Sequence, residues 1–149
     1  MKKITIVLAS IFLAVSLTSC SNDSLQGYIV KSQEKKGFIT FDVPASILQL
    51  KSDDVSSDVK KALASLKKVN LVALPFQKNT AAIDSEKATL DAIFNKSDYK
   101  SLMRTTAQGA SIKLYYSGSE NAIDEVIAYG YKANQGIGIA RILGEDMNP

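Results

Sequence analysis

Four serine–lysine pairs at i, i+3 spacing are the residues here whose types and separation could do covalent chemistry: Ser32/Lys35, Ser57/Lys60, Ser65/Lys68 and Ser97/Lys100. In a Ser-x-x-Lys arrangement the lysine amine can take the proton of the serine nucleophile. The further motifs that accompany such enzymes are absent, and a chain rich in Ser and Lys meets this spacing by chance. Ser97 also has a plainer task as a helix cap. The acid pairs Asp53/Asp54 and Glu145/Asp146 are the candidates for glycosidase work. Adjacent side chains point apart, however, and Asp53-Asp54 sits where a helix start favours acids. Gly136-Ile-Gly138 lacks the third glycine of a dinucleotide fingerprint and opens no helix. The chain has no histidine. That removes imidazole acid–base chemistry, Ser-His triads and nearly all zinc sites. No catalytic residue, metal or cofactor is assigned, and a Ser/Lys hydrolase ranks last among the functions considered.

The single cysteine, Cys20, ends the stretch Leu17-Thr-Ser-Cys20. Before it, Met1-Lys2-Lys3 is a short positive segment and 4–17 an apolar run. That run is too short for a permanent membrane span and fits the apolar region of a secretory signal. No charged stop-transfer cluster follows it directly. The stretch resembles the lipobox of bacterial lipoproteins, with Leu at −3, small residues at −2 and −1, and Cys at +1. The resemblance implies cleavage after Ser19, a thioether-linked diacylglycerol on Cys20 and a further acyl chain such as palmitate on the new N-terminus. Each buried methylene contributes about 0.8 kcal/mol, and two or three chains hold far more firmly than one. A lipidated Cys20 leaves no thiol for catalysis or a disulfide.

These features divide the chain into a signal peptide (1–19), a lipidated tether (20–25) and one domain (26–149). Of 18 basic residues against 15 acidic ones, Lys2 and Lys3 leave with the signal, so the domain is nearly neutral. It lacks the concentrated positive field that nucleic-acid binding needs. The short tether holds the domain close to the membrane. Ser21-Asn22-Asp23 carries one acid and no acidic cluster, which favours the periplasmic side of the outer membrane over surface display.

The elements that would position any site follow from local pattern. A short helix is expected over 26–33 and a strand over 38–43, where Phe, Ile, Thr and Val cluster. Pro44 suits the first turn of a helix running to Leu50. After a cap signal at Ser52-Asp53-Asp54, Val55, Val59, Leu63 and Leu66 fall on one helical face. The apolar run 70–76 reads as a buried strand ended by Pro75, and 77–80 as a loop. Ile83, Lys87, Leu90 and Phe94 mark an amphipathic helix over 81–94. Ser97 is expected to cap another helix, with Tyr99, Leu102 and Met103 on its inner side. Strands over 110–116, 122–132 and 136–143 form a terminal meander, with turns at 117–121 and 133–136. The fold class is α+β, with helices on one face of a mainly antiparallel sheet ending in a three-stranded meander.

If Tyr115 pairs with Ile123 and Tyr129 with Ile139, one face of the meander carries Lys113, Tyr115, Ile123, Glu125, Ile127, Tyr129, Tyr131, Ile137, Ile139, Arg141 and Leu143. The other carries Ile112, Leu114, Tyr116, Val126, Ala128, Ala140 and Ile142. Lys113 and Glu125 then become cross-strand partners. Neither face is polar throughout, so the sheet is either covered twice or offers a binding face.

The lipobox, the strand and Pro-helix start over 38–50, the 66–74 helix-to-strand passage and the closing Ile123-Asp-Glu-Val-Ile and Ile139-Ala-Arg-Ile-Leu-Gly144-Glu-Asp146 resemble the small Bacteroidetes lipoproteins that carry domain of unknown function 4252. That resemblance implies an envelope location and no known activity. The leading expectation is a non-enzymatic envelope module that binds a protein partner, with Tyr129, Tyr131 and Ile139 as contacts and the membrane engaged through lipid on Cys20. The alternative is a periplasmic carrier with a small-ligand pocket between helices and sheet.

Overall fold

The computed structural model describes residues 24–49, 56–76 and 80–147. The lipobox with Cys20, the acids at Ser52-Asp53-Asp54 and most of the expected 77–80 loop lie outside the described residues.

Helix α1 spans Leu25–Glu34, and the Ser24 side chain caps it by accepting from the Gly27 N–H at 3.0 Å. Its buried residues Leu25, Tyr28, Ile29 and Ser32 recur at three- and four-residue spacing and so form one stripe. Strand β1 (Ile39–Pro44) follows, and the short helix α2 (Ala45–Gln49) starts one residue after the proline. Helix α3 spans Ser57–Ser65 and is capped by Ser56. It is shorter than the apolar periodicity suggests, because strand β2 (Leu66–Pro75) begins at once and takes Leu66. Helix α4 (Thr80–Lys96) buries Ile83, Leu90, Ile93 and Phe94.

The second expected helix after Ser97 does not form. Lys100–Ala107 is strand β3, hairpinned onto β4 (Ala110–Ser119), and β5 (Ala122–Lys132) and β6 (Gly136–Met147) complete the sheet. Gln108 and Gly109 join β3 to β4 with φ of 51° and 75°, and Ala107 faces Ala110. Positive φ at both loop residues is the signature of the type I′ hairpin turn, whose twist matches the strands it joins. The expected three-stranded meander is thus the end of a four-stranded one.

All neighbouring strands are antiparallel, in the order β1-β2-β6-β5-β4-β3. The last strand therefore lies inside the sheet, between the β1–β2 hairpin and the meander. Tyr129 faces Ile139, as expected, but Tyr115 faces Ile127 rather than Ile123. The β4–β5 turn is tighter than expected, and the resulting offset of four residues is even, so the side chains of β4 keep their faces. Lys113 accordingly sits opposite Tyr129, not Glu125. A bulge between Ile123 and Glu125 turns Ile123 away from the Glu125 side to pack with Tyr116 and Met147.

Helices α1 and α4 lie on one face of the sheet. Their apolar stripes meet Val72, Leu74, Tyr115, Ile127, Tyr129, Ile137 and Ile139 in one core. A smaller cluster of Tyr116, Ile123 and Met147, flanked by Leu66, Val126 and Ile142, holds the far end.

Candidate functional site

On the helix-covered face, Phe94 of α4 is the central wedge. Its ring stacks on Tyr115 at 4.3 Å between centroids and on Tyr129 at 5.6 Å, and meets Tyr99 edge-on at 5.5 Å. Such pairs contribute about 0.5–1.5 kcal/mol each beyond area burial. Tyr129 and Ile139 are each only 2% exposed beneath this layer. Tyr131 is half-buried at its margin, and its hydroxyl donates to Asp84 at 3.3 Å. Two of the three contact residues named from sequence therefore belong to the core.

Polar groups tie the helices to this face. Glu125 and Arg141 form a buried ion pair, and Glu125 Oε1 also accepts from the Tyr99 hydroxyl at 2.9 Å. Arg141 Nη1 donates to Gln26 of α1. Burial, then the charge of Glu125, raises the Tyr99 phenol well above its ordinary value. On α4, Asp91 accepts from Lys87 at 2.5 Å and from Lys113 of β4 at 3.0 Å. Burial pushes the Asp91 carboxyl upward, but the two ammonium groups outweigh it and its pKa ends below the usual value. These groups are consumed in holding layers together.

The serine–lysine pairs do not converge. The Ser32 hydroxyl donates back to the Tyr28 carbonyl at 2.8 Å while Lys35 pairs with Glu86 at 2.7 Å. Ser65 donates to the Ala62 carbonyl, and Lys68 pairs with Asp42 at 2.9 Å. Lys100 donates to the Gly118 carbonyl at 3.2 Å, and its ammonium sits over the Tyr116 ring. The Ser97 hydroxyl is buried without a hydrogen-bond partner. Ser57 is exposed on α3. Of the acid pairs, Glu145 is exposed and paired with Lys67 at 2.7 Å, whereas Asp53 and Asp54 lie outside the described residues.

The opposite face of the sheet is the unusual surface. Alternate residues of β5 and β6 are buried under the helices, and the residues between them are Val126, Ala128 and Gly130, and Gly138, Ala140 and Ile142. Across β1, β2, β4 and β3 the same face continues through Ile39 and Phe41, Leu71 and Ala73, Ile112 and Leu114, and Met103 and Thr105. Ile39, Phe41, Leu71, Met103 and Ile112 are all exposed, Phe41 to 56%. The face has relief. Its floor on the central strands carries only hydrogen or methyl at Gly130, Gly138, Ala128 and Ala140. Ridges of large side chains rise on β1–β2 and on β4–β3. Near one end the floor opens into a shallow depression of about 350 Å³, walled by Ala73, Ile112 and Lys132. Sequence patterning marks this face as apolar but misses β3, which extends it by a further ridge.

The family model described as "Domain of unknown function (DUF4252)" matches residues 28–149, which takes in all of these strands and the helices between them. The chain belongs to this family. Comparison with curated proteins and with solved structures returns no match. Among the described residues this domain thus presents one sheet face packed under helices and one apolar face that is open except at the end closed by Tyr116, Ile123 and Met147. No helix among those residues is long and apolar enough to cross a membrane.

Proposed function

We propose that this DUF4252 chain is an exported lipoprotein, held to the outer membrane by lipid on Cys20 on the periplasmic side. It acts there as a non-enzymatic interaction module whose open sheet face receives a protein partner. The observation that carries the reading is the largely apolar face exposing Ile39, Phe41, Leu71, Met103 and Ile112 together. Apolar patches of this extent, when not covered, mark interaction sites. Binding there buries aromatic and aliphatic surface, with Lys132 and Lys100 at its margins. The contacts accordingly fall on Phe41, Leu71 and Ile112, whereas Tyr131 lies at the margin of the opposite, helix-covered face. The three residues between Cys20 and the Ser24 cap span at most about 14 Å, which would keep the face within reach of other membrane-held proteins.

The test is crosslinking of the acylated protein in its native membranes. The parent chain is expected to give a specific adduct that Phe41→Ser/Leu71→Ser loses, whereas Cys20→Ser moves the protein from the membrane to the soluble fraction. An adduct that survives the double substitution would sink the face. A Cys20→Ser protein that stays with the membrane would sink the anchor.

A second reading, a small-ligand carrier, draws on a cleft of about 490 Å³ between the end of α1 and the start of α4, lined by Phe38, Ile83, Lys35 and Glu86. Glu86 Oε2 is buried there without a hydrogen-bond partner. A ligand seated in the cleft would protect it, so unchanged hydrogen exchange at Glu86 on release of co-purifying small molecules counts against this reading.

A further inference from the structure

We infer that the cleft between the end of α1 and the start of α4 takes a small amphipathic anion. The ligand class is an aliphatic or aromatic carboxylate, its apolar body on the cleft floor and its charge at Lys36. The inference rests on the carrier reading and names what is carried.

The floor supplies the apolar half. Leu74 near the end of β2 and Ile83 in the first turn of α4 belong to the main core, and Phe38 packs against it. Pro75 closes β2 beside them. A floor built of core side chains is fixed before a ligand arrives, so little ordering cost falls on binding. Its volume of about 490 Å³ is that of a small-molecule site, in which a mostly apolar wall carries a few polar groups that set orientation.

The rim supplies the charge. Its ionisable residues are Lys35, Lys36 and Glu86. Lys35 and Glu86 are paired at 2.7 Å, but the two ends of the pair are not equally presented. The Glu86 side chain is 12% exposed, with Oε2 buried, whereas that of Lys35 is 46% exposed. Burial, and after it the charge of Glu86, raises the Tyr28 phenol above its ordinary value, so this carboxylate faces the core side of the helices. The Lys35 ammonium lies 5.4 Å from the centre of the Phe38 ring. Lys36 is exposed and has no hydrogen bond or ion pair among the described residues.

The acids nearby do not cancel this charge. Neither Glu34 nor Asp84 lines the cleft, and Asp84 accepts instead from the Tyr131 hydroxyl. The first turn of α4 carries no acid. The cleft therefore presents one neutralised ammonium and one free ammonium above an apolar floor. A neutral apolar ligand would leave Lys36 unpaired beside it, and a cation would meet like charge at both lysines. A carboxylate pairs with Lys36 through a charge-assisted hydrogen bond while its body stays on the floor.

The experiment uses the full acylated chain in phosphatidylcholine vesicles. A benzophenone carboxylate serves as photoprobe, and the corresponding uncharged carboxamide as its control. On illumination the carboxylate should mark the segments around Phe38 and Ile83 saturably, about tenfold more strongly than the carboxamide, as one hydrogen bond to a charged group implies. Lys36→Glu should cut that marking by about the same factor and leave thermal unfolding unchanged, and Lys36→Arg should keep it. Equal marking of the cleft by both probes, or marking unchanged in Lys36→Glu, overturns the anion assignment and leaves the carrier reading standing. No marking of the cleft by either probe, or marking only on the open sheet face around Phe41 and Ile112, ends both.

Discussion

At the scale of single residues, Glu125 and Arg141 link sheet to helix most closely. Both are buried, and their hydrogen bonds reach Tyr99 beyond α4 and Gln26 on α1. Desolvating such a pair costs nearly what the attraction returns, but removing one partner strands the other charge in the interior. Glu125→Gln is therefore expected to lower unfolding free energy by about 3–5 kcal/mol in urea, while the double replacement Glu125→Leu/Arg141→Met recovers most of the loss. A small effect of Glu125→Gln alone would mean that water reaches the pair. This pair is not legible in the sequence. Residue spacing alone sets Lys113 opposite Glu125, because it implies a longer β4–β5 turn than the one that forms, and Lys113 instead reaches across to Asp91 on α4. Strand residues choose partners from the next layer as well as the next strand, and a linear pattern carries no record of that layer.

At the scale of elements, β3 differs from the other strands. All eight of its residues are exposed, and it is held by β4 alone, whereas β6 is hydrogen-bonded on both sides. Backbone amides in β3 should exchange with solvent fastest among the strands and those of β6 slowest, measured by hydrogen exchange under native conditions. Protection of β3 equal to β6 would mean that an additional strand or chain covers that edge. The other elements are readable because their signals are local: the Leu25, Tyr28, Ile29 stripe, the proline closing β1, and the alternation of Ile127, Tyr129 with Ala128, Gly130. β3 escapes such reading because Tyr99, Leu102 and Met103 also suit a helix face, and Gln108-Gly109 lacks the usual Asn or Asp of a type I′ turn. The bulge at Ser101/Met103 further disrupts the two-residue period by which a strand is recognised.

At the scale of the whole molecule, the polar ties set a pH window. Burial raises the phenols of Tyr28, Tyr99 and Tyr129 above the usual value of 10.0, with Glu86, Glu125 and Asp91 respectively adding negative charge nearby. Above pH 10 the unfolded chain releases protons that the folded chain retains, so stability falls as pH rises. Asp42 and Asp91 are held below their usual value of 3.8, Asp42 chiefly by Lys68 and Asp91 by Lys87 and Lys113. Their contribution is complete above that value and lost as pH falls through the folded pKa values. A plateau between these limits is expected, with phenolate absorbance from the buried tyrosines appearing only as the protein unfolds. Phenolate absorbance growing in at pH 10 in still-folded protein would show those hydroxyls to be solvated. The α+β class and the antiparallel sheet are legible from sequence; the strand order, with β6 at the centre, is not. That order also governs how the molecule can be made. Among the described residues the β1–β2 pair and the β3–β5 meander share no strand pairing with each other, and in the sheet β6 joins them. In a chain delivered N-terminus first the two parts of the sheet emerge unpaired, and pairs such as Val69 with Ile142 wait for the final strand. Such distant pairings are slow to form. The sheet is therefore completed only when the last dozen residues of the described chain are in place.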